Sequence, residues 1–109
     1  MMPFAEITSD ACGLPQSAID RIRTLFDACP AVERALIYGS RAKGTYRRGS
    51  DIDLVLEGRQ LDDSQVLALE TQLDDLLLPY QIDLSRLAAI QDEALLEHIQ
   101  RAGRVFYQR

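Results

Sequence analysis

Apolar residues recur at helical spacing over Ala18, Ile19, Ile22, Leu25, Phe26 and Cys29, with Asp20, Arg21, Arg23 and Asp27 on the other side. This predicts a helix opened by Leu14-Pro15-Gln16-Ser17, where Pro15 suits the first turn, and ended by Pro30. From Val32 to Tyr38 the period changes. Ala35-Leu36-Ile37-Tyr38 is apolar without a break, as in a strand buried on both faces. Gly39-Ser40 follows at once, and Ser40 suits the N-cap of a short helical turn through Lys43. Gly44 and Gly49 bracket a loop. Asp51 to Glu57 then alternates, with Ile52, Leu54 and Leu56 on one side, and Gly58 ends this second strand. Asp62-Asp63-Ser64 opens a second long helix, its acids suited to the helix dipole, with an apolar face of Val66, Leu69, Leu73, Leu76 and Leu77 and a stop at Pro79. Tyr80 to Arg86 is a third strand, Ile82 and Leu84 inward and Asp83 opposite. A last helix starts at Asp92-Glu93, carries Ala94, Leu95, Ile99 and Ala102 on one face and closes at Gly103; Val105-Phe106-Tyr107 is a short final strand. Residues 1–13 read as a loose lead-in. The order helix, strand, strand, helix, strand, helix, strand predicts one α/β domain over residues 14–109, with a mixed sheet of about four strands and helices mainly on one face.

The length of 109 residues allows one small domain with a single core. A hydrophobic share of 47% against 27% charged excludes disorder as the main state. The net charge of −5 argues against direct, sequence-independent binding of nucleic acid. Yet residues 41 to 50 hold Arg41, Lys43, Arg47 and Arg48 with no acid among them. Positive charge so localised in an acidic chain suits a small anionic ligand. The first ten residues have neither a positive start nor an apolar run, and no stretch approaches the ~20 apolar residues of a membrane span. Cys12 and Cys29 are therefore expected as free thiols in a reducing cytoplasm.

The candidate chemistry lies in carboxylates. Alternate residues of a strand share a face, so Asp51 and Asp53 point the same way. Such neighbours repel unless a cation lies between them. Ile82-Asp83-Leu84 repeats the setting of Ile52-Asp53-Leu54, and if the second and third strands are neighbours, Asp51, Asp53 and Asp83 converge. Three carboxylates form an oxygen site for Mg²⁺, with substrate phosphate and water in the remaining positions; two ions would serve the attacking hydroxyl and the leaving group. The Gly39-Ser40 turn would meet phosphates through backbone N–H groups and a hydroxyl. A P-loop is excluded, because Gly39 to Thr45 lacks the G-K-[ST] ending. Elsewhere the expectations are plain: His98 at the surface, Tyr38 in the core, Tyr46 an ordinary loop residue, and an apolar surplus at Leu76-Leu77-Leu78 that would suit a partner or a second copy.

Gly39-Ser40, ten residues, then Asp51-Ile52-Asp53 resembles the G-S-x10-D-x-D pattern of the nucleotidyltransferases related to DNA polymerase beta, and Tyr-Gly-Ser-Arg-Ala-Lys-Gly…Ser-Asp-Ile-Asp-Leu looks like the minimal nucleotidyltransferases (MNT) among them. The likeness runs from about residue 14 to 107. It implies the polymerase beta palm-like fold, ATP as substrate, and two Mg²⁺ ions held by Asp51, Asp53 and Asp83, the last also helping to deprotonate the acceptor. It implies a triphosphate-binding turn at Gly39 and Ser40, with Arg41 and Lys43 in the same segment. Many such proteins resemble the antitoxin of HEPN/MNT toxin–antitoxin pairs. That implies transfer of AMP to a tyrosine of a helical HEPN ribonuclease, in a complex of the two chains. The rival expectation is neutralisation of that partner by binding alone. Transfer to a small molecule usually needs a further substrate domain.

Overall fold

Alternation along the strands sorts the sheet into two faces. The computed structural model describes residues 4–109. Its strands β1 (Arg34–Tyr38), β2 (Ile52–Glu57), β3 (Ile82–Arg86) and β4 (Arg104–Gln108) lie in the order β3-β2-β1-β4. β1 pairs antiparallel with β2 and β4, while β2 and β3 run parallel. A parallel pair needs a long crossover. Helix α4 (Asp63–Asp75) supplies it, opened by a capping box in which the Asp62 carboxylate accepts from the Gln65 N–H and the Gln65 side chain accepts from the Asp62 N–H.

Ala35, Ile37, Ile52, Leu54, Leu56 and Leu84 face the main core, filled by Ile19, Ile22 and Phe26 of α2 (Gln16–Asp27) and by Val66, Leu69 and Leu73 of α4. The opposite face carries a smaller cluster of Leu36, Val55 and Val105 under Ile99 of α5 (Glu93–Ala102). The unbroken apolar run of β1 is therefore buried on both sides, as its pattern predicts. Helices do gather mainly on one face, α2 and α4, and α5 covers part of the other.

Residues 1–3 of the expected lead-in lie outside the described residues. From residue 4 onward the segment is not loose. Glu6 bridges Val105, and the short helix α1 (Ser9–Cys12) is capped by Thr8, whose Oγ1 accepts from the Ala11 N–H. Ile7 and Cys12 are buried. Two buried apolar residues in so short a stretch leave no period to detect. Leu77 departs from expectation too. Helix α4 ends at Asp75, and Leu77 takes a left-handed φ of 56° beyond it, which leaves its side chain 87% exposed. Both cysteines are free thiols. Among the described residues no helix is long and apolar enough to cross a membrane.

Candidate active site

Cross-strand register sets the site. Tyr38 lies opposite Asp53 on β2, and Asp53 lies opposite Asp83 on β3. Residues in register share a face. The three form a row at one end of the sheet, on the side that α5 partly covers. Asp51 precedes β2 by one residue and is exposed, beside the row rather than in it. Asp53 is half-buried. Burial, followed by the charges of Asp83 and Asp51, pushes its carboxyl above the ordinary value. Burial, then the charges of Asp53 and Asp83, pushes the Tyr38 phenol up as well. Among the described residues no lysine or arginine forms an ion pair with Asp51, Asp53 or Asp83.

A cleft of about 460 Å³ opens on the row, lined among others by Tyr38, Asp53, Glu70, Asp74, Asp83 and Ser85. Glu70 and Asp74 come from successive turns of α4. Their i, i+4 spacing was visible in the sequence, but not that α4 would bring them to this cleft. A larger cleft, about 760 Å³, lies at the other end of the sheet. It has no counterpart of the carboxylate row, and three of the four arginines that line it are already engaged. Arg34 pairs with Glu57, Arg86 with Asp63, and Arg109 donates to the carbonyls of Phe26, Asp27, Cys29 and Val32.

Gly39 follows β1 directly and turns the chain into the short helix α3 (Ser40–Lys43). Its backbone, at φ 76° and ψ −157°, is open essentially to glycine alone. A Cβ there would stand 2.5 Å from Asp53 Oδ2, so the turn and the carboxylate approach each other as closely as glycine permits. Gly39→Ala should therefore destabilise the domain by about 1–3 kcal/mol and displace the Asp53 carboxylate. Urea denaturation checks the first effect, and an unchanged midpoint would contradict so close an approach of turn and carboxylate.

The basic residues separate. Arg41, expected near phosphate, is 2% exposed. Its Nε and Nη2 donate to the Ser50 carbonyl and its Nη1 to the Cys12 carbonyl, and the guanidinium lies over the rings of Tyr46 and Tyr80. Each of its three nitrogens donates to backbone, so it ties the 44–51 loop to α1 instead of facing the cleft. Tyr46 belongs to the same assembly, its ring lying over Gly13. Lys43 is exposed and faces a separate groove with Phe4, Gln100 and Arg104. Arg47 and Arg48 are exposed. His98 departs from its expected surface role. It is half-buried, its Nε2 accepts from the Gly39 N–H at 3.1 Å, and its ring meets that of Tyr38 edge-on. Tyr38 is accordingly half-buried in the site, not enclosed in the core. No local pattern marks His98, because its partner lies 59 residues away.

Among the described residues, no three His, Cys, Asp or Glu side chains are gathered closely enough to hold a metal unaided. Asp53 and Asp83 are in register, with Asp51 at their flank. The donors are all carboxylate oxygens, the set that Mg²⁺ accepts when water and substrate complete its shell. A cation would also relieve the repulsion that, after burial, raises the Asp53 pKa. On donor chemistry the residues fit that ion.

The family model "Polymerase beta, Nucleotidyltransferase" matches residues 20–109. No curated protein matches the chain. Among solved structures, a chain of a toxin–antitoxin complex with AMP-PNP is 25% identical at a TM-score of 0.67, over 88% of this chain and 75% of that one. A chain of the MntA–HepT toxin–antitoxin is 21% identical at 0.64, covering 87% and 74%. One from a complex of the tri-AMPylated Shewanella oneidensis HEPN toxin with its MNT antitoxin is 21% identical at 0.63, covering 86% and 72%.

Proposed function

The chain belongs to the polymerase beta nucleotidyltransferase family, and on that premise we propose that it transfers AMP from ATP to a hydroxyl of a partner protein, a tyrosine of a helical HEPN toxin, and so acts as an antitoxin. One observation carries the reading. The Gly39-Ser40 turn abuts the Asp53–Asp83 row so closely that a single Cβ would collide with Asp53 Oδ2. A phosphate-binding turn touching paired carboxylates is the arrangement that phosphoryl-type transfer needs. The neighbour with AMP-PNP supports the nucleotide, and the tri-AMPylated complex supports the acceptor class.

Asp53 and Asp83, with Asp51 beside them, would hold Mg²⁺, which when bound neutralises phosphate charge and lowers the pKa of a bound hydroxyl. The chain's own contribution is position. The Gly39-Ser40 turn orients the phosphates. The cleft beside Asp83 admits the acceptor, whose proton passes to a carboxylate of the row. The acceptor oxygen bonds to the α-phosphorus, the bond from that phosphorus to the bridging oxygen breaks, and pyrophosphate leaves with the electron pair. Glu70 and Asp74 line the acceptor side of the cleft with further negative charge.

The test uses α-labelled ATP, Mg²⁺ and a purified HEPN protein encoded beside this chain. Label on a partner tyrosine, absent with Asp53→Asn, is the expected result. A tight complex without label would replace transfer with neutralisation by binding alone. Neither label nor complex would reject the proposed partner.

A further inference from the structure

The ladder between β1 and β2 ends at Tyr38 and Asp53, and that between β1 and β4 ends at Ile37 and Arg104. Gly39 lies just past both, where no strand offers a carbonyl to its N–H. Among the described residues its acceptor is His98 Nε2, at 3.1 Å. A ring nitrogen accepts only through its lone pair, so this contact calls for the tautomer that carries its N–H on Nδ1. The ring is held from the side by Tyr38, at 6.1 Å between centroids. Apart from this bond, α5 meets the sheet through apolar packing on Leu36 and Val55. His98 is thus the polar link from α5 to the carboxylate end of the site.

Building on the transferase reading above, we infer that His98 is a positioning residue for the nucleotide-binding turn. Holding the Gly39 N–H fixes the peptide plane between Tyr38 and Gly39. That plane sets the direction in which Ser40 leaves the strand and the gap between the turn and Asp53. Glycine is the residue with most backbone freedom to lose, so a turn made by Gly39 needs an outside restraint to be ordered before ligand arrives. Ordering in advance removes a cost that binding would otherwise carry. Among the described residues His98 makes the one hydrogen bond from α5 to the turn, and it makes none to Asp51, Asp53 or Asp83.

The test needs no turnover. With AMP-PNP and Mg²⁺ as the probe, His98→Leu should weaken binding about tenfold, the scale of one hydrogen bond in a partly buried site. His98→Gln places an amide oxygen near the position of Nε2 and should recover affinity to within about threefold of wild type. NMR of the wild-type protein should show scalar coupling between Gly39 N and His98 Nε2 through the hydrogen bond, and the Gly39 amide should exchange faster in the leucine variant. Wild-type protein without that coupling would overturn the inference, and so would a leucine variant that binds like wild type or a glutamine variant as weak as leucine. Wild-type protein that binds no AMP-PNP would overturn the transferase reading and this inference with it, an outcome distinct from normal binding that His98→Leu leaves unchanged.

Discussion

Asp53→Asn should cut nucleotide transfer roughly a thousandfold, the scale of losing a main electrostatic group from a transfer site, while making the metal-free protein more resistant to heat. Both effects have one cause. Asp53 is half-buried beside Asp83 and Asp51, and burial and these neighbours raise its pKa above 3.8. A carboxyl whose pKa is raised by folding favours the native state most when protonated. Its stabilising contribution is complete below the unfolded value of 3.8 and is lost as pH rises through the folded value. At pH 7 the ionised group opposes folding, and an amide of the same shape removes that opposition. Thermal unfolding in EDTA should therefore give a higher Tm for Asp53→Asn at pH 7. The difference should narrow as pH falls through the raised pKa of Asp53, where the wild-type carboxyl takes up its proton. A variant less stable than wild type at pH 7 in EDTA would show that Asp53 serves the fold. A variant with full activity would remove it from the site.

Arg41→Ala should cost about 3 kcal/mol of stability, the scale of losing hydrogen bonds from a charged donor and leaving backbone carbonyls unpaired. The substitution leaves the Ser50 and Cys12 carbonyls without their donors and opens a gap between the rings of Tyr46 and Tyr80. Arg41→Lys should rescue little, since an ammonium cannot reproduce two donors to Ser50 and a third to Cys12 while stacking on two rings. Urea denaturation reads both variants. If Arg41 instead bound phosphate, Arg41→Ala would spare stability and weaken AMP-PNP binding, the reverse of what its burial requires.

These two residues mark where the sequence is legible and where it is not. The long helices and four strands follow from apolar spacing, because burial of one face imposes a period of 3.6 or 2 on the chain itself. Boundaries move by a residue or two, as where Asp51 proves to precede β2. Helix α1 escapes because a single capped turn with Ile7 and Cys12 buried around it has no period. Leu77 continues the apolar row of α4 on paper, yet the chain has already turned out of the helix.

The sequence alone determined that Asp53 points away from Ile52 and Leu54, that Asp83 stands between inward-pointing residues, and that Gly39 joins a strand to a polar turn. Each of these is local backbone geometry acting over a few residues. Only the tertiary structure decided that β3 lies beside β2, so that Asp83 stands in register with Asp53. It also decided that Arg41 reaches back 29 residues to the Cys12 carbonyl and that His98 reaches back 59 to the Gly39 N–H. An arginine after a Gly-Ser turn and a histidine on an amphipathic helix carry no local mark of their partners. Charge and hydrogen-bonding capacity can be read from the chain, but what they are spent on is set by which distant segments the core brings together.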